Sequence, residues 1–198
     1  MPDPVDGLRP VPARPVILAS ASPRRSALLH EAGPAFASMR IMTSHVEEGG
    51  DPLENALLKA EAVARMNPQA VVIGADTVIR FEGETIGKPA DLEHAKRILA
   101  KLSGRTHDVA TGVCVRCIEA DFLVRFEEAT HVTFRALTPE AIDKYVRDVN
   151  VLDKAGAYAI QEHGEDIIES VSGSLTNVIG LPVERLKETV EYLLKLPC

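Results

Sequence analysis

An apolar run at residues 16–19 stops at Ser20 and is followed almost at once by Ser22 and Pro23, the chemistry of a helix N-cap and a first helical residue. A buried strand that turns so quickly into a helix points to an α/β fold, and the chain downstream continues the alternation. The helix is expected to run to Gly33, a suitable C-terminal cap. Two adjacent arginines, Arg24 and Arg25, stand in its first turn, facing the positive end of the macrodipole at a cost of a few tenths to about 1 kcal/mol each. A bound anion reverses that sign. Serines, free backbone N–H groups and two guanidiniums can together hold a phosphate, although an ordinary solvated basic turn has the same composition.

Residues 53–66 are expected to form a second helix, and AVVIGADTVIRF at 70–81 an apolar strand interrupted at 74–77. A turn about Gly83 follows, then a helix capped by Asp91 whose Leu92, Ala95, Leu99 and Leu102 share one face. The β-branched and aromatic content of 106–137 predicts two or three strands, and Thr138 with Pro139 opens another helix. A C-terminal helix carries the core stripe Val183, Leu186, Val190, Leu193 and Leu194. This order predicts an α/β protein with a mixed sheet flanked by helices. Residues 1–15 are rich in proline without an apolar period and read as a mobile tail, which leaves 16–198 as a single domain.

A chain of 198 residues, 45% of them hydrophobic, can build one substantial core. Its net charge of −7 argues against a broad basic face for a nucleic-acid polymer but leaves room for a local anion site. No apolar run approaches the roughly 20 residues that span a bilayer, and the N-terminus lacks the basic start and apolar middle of a signal peptide. A soluble cytoplasmic protein with no membrane partner is therefore expected. Cys114, Cys117 and Cys198 are the three cysteines; the first two lie in the alternating stretch VATGVCVRCI, where an odd separation sends them to opposite faces. That favours structural thiols over a redox or zinc pair.

Asp76 follows an apolar run and a Gly-Ala pair, a position from which a carboxylate can project into a cleft at a strand end. Glu47 and Glu48 lie beside Gly49 and Gly50; either can join Asp76 around a divalent cation or face water. Lys59, on a predicted helix, and Lys88, in the loop GKPAD, would complete an electrostatic site. Gln161 and Glu169 flank a glycine-containing segment that leads into GSLTNVIGLP, where loop hydrogen bonding is the ordinary role.

SASPRR at 20–25, EE at 47–48, GADT at 74–77, GKP at 87–89, SGRTH at 103–107, DKAGAYAIQ at 153–161 and GSLTNVIGLP at 173–182 occur in one order. Together they resemble the Maf family of nucleoside triphosphate pyrophosphatases, from about residue 16 to the C-terminal helix. The resemblance implies an elongated α/β fold around a central cleft, often a homodimer. It also implies hydrolysis of a nucleoside triphosphate to monophosphate and pyrophosphate, dependent on Mg²⁺ or Mn²⁺.

The family's catalytic carboxylate falls on Asp76, as general base or metal-bound orienter of water, with Glu48 helping to hold the cation. Lys59, Lys88, Arg24 and Arg25 are implied to bind phosphates, with Ser20 adding a hydroxyl or backbone contact. Arg24 in SPRR, Thr77 in ADT and Gln161 in AIQ resemble the branch acting on dTTP and UTP, Thr77 and Gln161 serving the base pocket. The proline-rich leader lies outside the resemblance, and the stretch ASMRIMTSHVEE makes the spacing from Gly33 to Glu48 longer than usual for the family. Two rival readings are hydrolysis of a modified purine triphosphate and a nucleotide-binding regulator of septum formation. The regulator would not need Asp76.

Overall fold

The strand Val16–Leu18 (β1) is wholly buried and hands the chain to the helix Pro23–Glu31 (α1). The computed structural model describes residues 14–195, so Cys198 and all of the expected tail except Arg14 and Pro15 lie outside the described residues. Ser22 caps α1 by accepting the Arg25 backbone N–H at 3.5 Å, and Pro23 occupies the first turn. The helix stops earlier than expected. Ala32 is its cap, and Gly33, at φ 128°, instead opens a 3-10 turn at Pro34–Phe36.

The order continues with β2 (Arg40–Ile41), α2 (Pro52–Met66), β3 (Val71–Phe81), β4 (Glu84–Ile86), α3 (Leu92–Leu102), β5 (Thr106–Cys117) and β6 (Phe122–Phe134). It ends with α4 (Pro139–Asp148), a 3-10 turn at Ala155–Ala157, α5 (Gly164–Ile167), β7 (Ile168–Ser172), α6 (Leu175–Ile179) and α7 (Val183–Leu194). The seven described strands form one mixed sheet in the order β2-β1-β3-β5-β6-β7, with β4 pairing β3. β1 is parallel to β2 and β3; the remaining pairs are antiparallel. The α/β class and mixed sheet flanked by helices are as the sequence predicts.

The interruption expected at 74–77 is absent. β3 pairs with β5 without a break from Val72↔Arg116 to Arg80↔Asp108, so Asp76 sits in mid-strand and not at a strand end. Gly74 serves a helix, not a turn: a Cβ there would lie 2.1 Å from the Ala56 carbonyl oxygen and 2.9 Å from the Ala60 nitrogen of α2. Gly112, the cross-strand partner of Asp76, is overlain in the same way by the start of α2. Two missing side chains let the helix lie directly on the sheet.

The discontinuity is on the other edge of β3. There β1 covers Val71 to Ile73 and β4 covers Ile79 to Phe81, and no described strand pairs with the five residues between. One face of the sheet carries two cores. Ile73, Ala75 and Val113 pack with Leu29 of α1 and Leu186, Val190 and Leu193 of α7, while Ile79, Phe81 and Val109 pack with α3 and α4. Between them stands the hydroxyl pair Thr77 and Thr111, 2.9 Å apart. The opposite face packs on Ala56, Ala60 and Val63 of α2.

Smaller expectations divide. Asp91 caps α3 by accepting the His94 N–H at 2.6 Å, but Leu92 is 49% exposed and Ile98 takes its place on the buried face. The region 106–137 makes two strands, and Thr138 caps α4. Cys114 and Cys117 are buried in cores on opposite faces of the sheet as free thiols. Among the described residues no helix is long and apolar enough to cross a membrane.

Candidate active site

The gap between β1 and β4 opens into a cleft of about 380 Å³. Ser20, Arg24, Arg25, Glu48, Lys59, Asp76, Thr77, Lys88 and Gln161 all line it, although they come from six segments spread over more than 140 positions of the chain. Glu47 and Glu169 are not among its lining residues. The cleft is chemically divided. Cations, carboxylates and hydroxyls gather around β1 and α2, while Ile79, Val109, Tyr158, Ile160 and Val178 supply apolar surface, with Lys88, Asp153 and Lys154 as further charged groups of the lining.

Asp76 forms the floor. Its side chain projects toward α2, where the Lys59 ammonium donates to Oδ1 at 2.8 Å and the Asn55 amide donates to Oδ2 at 2.8 Å. Lys59 also reaches Glu48 Oε1 at 3.0 Å, so one buried ammonium joins the two predicted metal-facing acids. Among the described residues no group of three or more His, Cys, Asp or Glu side chains is arranged to hold a metal ion. Two carboxylates suit a small hard cation that takes its other ligands from water and substrate phosphates. The residues present therefore fit Mg²⁺ or Mn²⁺.

Arg25 is committed to the protein. Its Nε donates to the Gly180 carbonyl at 2.8 Å, Nη1 to the Ala75 carbonyl at 2.8 Å and to Ser20 Oγ at 3.1 Å, and Nη2 to Thr77 Oγ1 at 3.0 Å. On the unpaired edge of β3 a guanidinium thus supplies a donor that a neighbouring strand would otherwise give. Burial lowers its pKa, and the charge of Asp76 opposes that shift. Arg24 is far freer, with one ion pair to Asp153 Oδ2 at 3.3 Å across the cleft. Burial works against ionising Asp153, but Lys154 and then Arg24 outweigh it and bring its pKa below the ordinary value.

Lys88 and Gln161 are exposed on the rim. The loop bearing Lys88 is pinned where Gly156 N–H donates to the Gly87 carbonyl at 3.0 Å. Tyr158 on the apolar surface is held by a 2.8 Å hydrogen bond to His107 Nε2, and burial drives the His107 pKa down to about 4. The sequence reading passed over Asn55, Thr43, Ser44, Asp153 and Tyr158, all of which line the cleft or touch Asp76. One signal was available for Asn55. It stands four residues before Lys59 beside the buried stripe Ala56, Ala60 and Val63, where a polar residue needs a partner.

The Maf-like protein family matches residues 15–193. The chain belongs to that family. A relative from Akkermansia muciniphila named dTTP/UTP pyrophosphatase is 50% identical over 184 residues, covering 90% of this chain and 96% of that protein. Another of the same name from Bacillus anthracis is 45% identical over 181 residues, covering 87% and 92%. Within this Maf-like chain the mixed sheet and the continuous β3 place Asp76 at the base of the cleft.

Proposed function

We propose that the chain hydrolyses dTTP and UTP to the nucleoside monophosphate and pyrophosphate. The observation that carries this is Asp76, a carboxylate on the cleft floor with one donor on each oxygen and cationic residues around it. Relatives at 45 and 50% identity that carry the name dTTP/UTP pyrophosphatase support the choice of substrates.

The triphosphate lies along the polar side of the cleft, and the base enters between Tyr158, Ile79 and Val178 with Gln161 at the rim. Asp76 accepts the proton of the water that attacks the α-phosphorus, and pyrophosphate leaves. Negative charge grows on the leaving group in the transition state, so positioned cations contribute most to the rate. Arg24 and Lys88 meet that charge directly. Lys59 keeps Asp76 and Glu48 together, and Arg25, with four donors already engaged, shapes the floor through Thr77 and Ser20. Mg²⁺ or Mn²⁺, held by Glu48 and Asp76, would neutralise phosphate charge as a Lewis acid. A cytoplasmic homodimer formed from residues 16–198 belongs to the same reading.

The test is release of pyrophosphate by purified protein over dTTP, UTP, ATP, GTP and a methylated purine triphosphate, with Mg²⁺ or Mn²⁺. Pyrimidine substrates are expected to show the highest kcat/KM, and Asp76→Asn to lower kcat by roughly 10²- to 10⁴-fold in a folded protein. A wild-type rate in Asp76→Asn removes the base. A purine preference removes the pyrimidine assignment and leaves the hydrolysis standing.

A further inference from the structure

Asp76 has one charged partner and one neutral partner, and the two are held very differently. The Lys59 ammonium ends a flexible four-carbon stem and is shared between Asp76 and Glu48. A single shared donor on Oδ1 leaves the carboxylate free to turn about its own bond. Asn55 removes that freedom from the other oxygen. Its Oδ1 accepts the Gly49 N–H at 2.8 Å and its Nδ2 donates to the Gly49 carbonyl at 2.9 Å, so the loop backbone fixes which way the amide faces. The remaining Nδ2 direction meets Asp76 Oδ2 at 2.8 Å.

Asn55 is 2% exposed, on the turn of α2 that lies against the sheet at Gly74 and Gly112. Burying an amide costs free energy unless each polar atom finds a partner, and here every one does. The Gly49 contacts alone would satisfy a purely structural asparagine with one N–H to spare. That spare donor is on the carboxylate.

We propose that Asn55 is a positioning residue for the reaction: locked by the Gly49 peptide, it sets the rotation of the Asp76 carboxylate so that an unshared lone pair faces the water. This rests on the reading of Asp76 as the base. The amide also ties the loop that carries Glu48 to the same helix, so both acids are aligned from one side chain.

The experiment compares Asn55→Ala and Asn55→Asp with wild type in the full chain. It measures kcat and KM for dTTP, affinity for the non-hydrolysable α,β-imido analogue of dTTP, and the urea unfolding midpoint. A misplaced base is expected to lower kcat about 10- to 100-fold. In Asn55→Ala affinity for the analogue and KM stay within about threefold, because Asn55 is buried and does not line the cleft. If Asn55→Ala unfolds, Asn55→Asp carries the test through kcat followed from neutral to alkaline pH: it keeps the volume and the acceptor for Gly49 N–H, loses the amide donors to Asp76 and to the Gly49 carbonyl, and once ionised cannot donate to Asp76.

Wild-type kcat in folded Asn55→Asp overturns the proposal, and so does a loss confined to KM and analogue affinity. The base reading fails separately. If Asp76→Asn turns over at the wild-type rate, both readings fall; if it is inactive while Asn55→Asp is fully active, only the positioning role does.

Discussion

Four of the five N–H groups of Arg25 are spent on protein acceptors, which leaves one for any ligand. Arg24, its neighbour in sequence, points across the cleft to Asp153 and keeps most of its donors. Two residues that look equivalent in SASPRR therefore do different work. Arg25→Lys keeps the charge but cannot span Gly180, Ala75, Ser20 and Thr77, and it is expected to cost roughly 2 to 4 kcal/mol in urea denaturation through the buried acceptors left unmatched. Lys88→Ala is expected to leave the unfolding midpoint in place and to lower kcat/KM for the triphosphate about tenfold, the worth of one charge-assisted hydrogen bond. An unchanged unfolding midpoint in Arg25→Lys would show that Arg25 is not structural.

At the scale of elements, the seat of α2 on β3 and β5 depends on two positions without side chains. A methyl at Gly112 would sit 2.4 Å from the carbonyl carbon and oxygen of Pro52 and 2.5 Å from the Leu53 nitrogen, backbone atoms that cannot swing aside. Gly112→Ala should therefore lift the start of α2, cost about 1 to 3 kcal/mol in chemical denaturation and lower kcat as Asn55 and Lys59 draw away from Asp76. Gly50→Ala, with open space around it, is the control and should do neither. This seat also marks where sequence reading succeeds and stops. The caps at Ser22, Asp91 and Thr138 were legible because each makes its bond within three residues. Gly74 was misread as a break in the strand because a glycine that admits a turn and a glycine that admits a helix look alike locally. Ser20, Arg24, Arg25, Glu48, Asp76, Thr77, Lys88 and Gln161 were legible because each stands in a motif, and Lys59 as a cation on a predicted helix. Thr43, Ser44, Asp153 and Tyr158 were passed over. So was Asn55, since its partners Gly49 and Asp76 converge on it only after the helix has docked.

For the whole molecule, acid should act through the core behind the apolar surface of the cleft. His107 is 2% exposed, bonded to Tyr158, and has a folded pKa of about 4 against an ordinary value of 6.5. Between those values the unfolded chain binds the proton and the folded chain does not, so stability falls as pH drops from 6.5 and the loss levels off below about 4. The gap corresponds to roughly 3 kcal/mol. Urea midpoints at pH 7 and pH 4.5 should differ less in a His107→Phe, Tyr158→Phe double variant than in wild type. An equal fall in both proteins would place the acid sensitivity elsewhere.

The nine registered pairs between β3 and β5 run beneath both cores and past Asp76 without interruption. A linker would let the two ends of the molecule swing; a paired ribbon of this length behaves as a beam. Bringing together the two cores that flank the cleft would twist that beam, and every increment of twist loads hydrogen bonds on both sides of the site. A ligand entering the cleft would be seated in a stiff frame more than grasped by a closing hand, since the hydrogen bonds that orient Asp76 already stand in the folded chain.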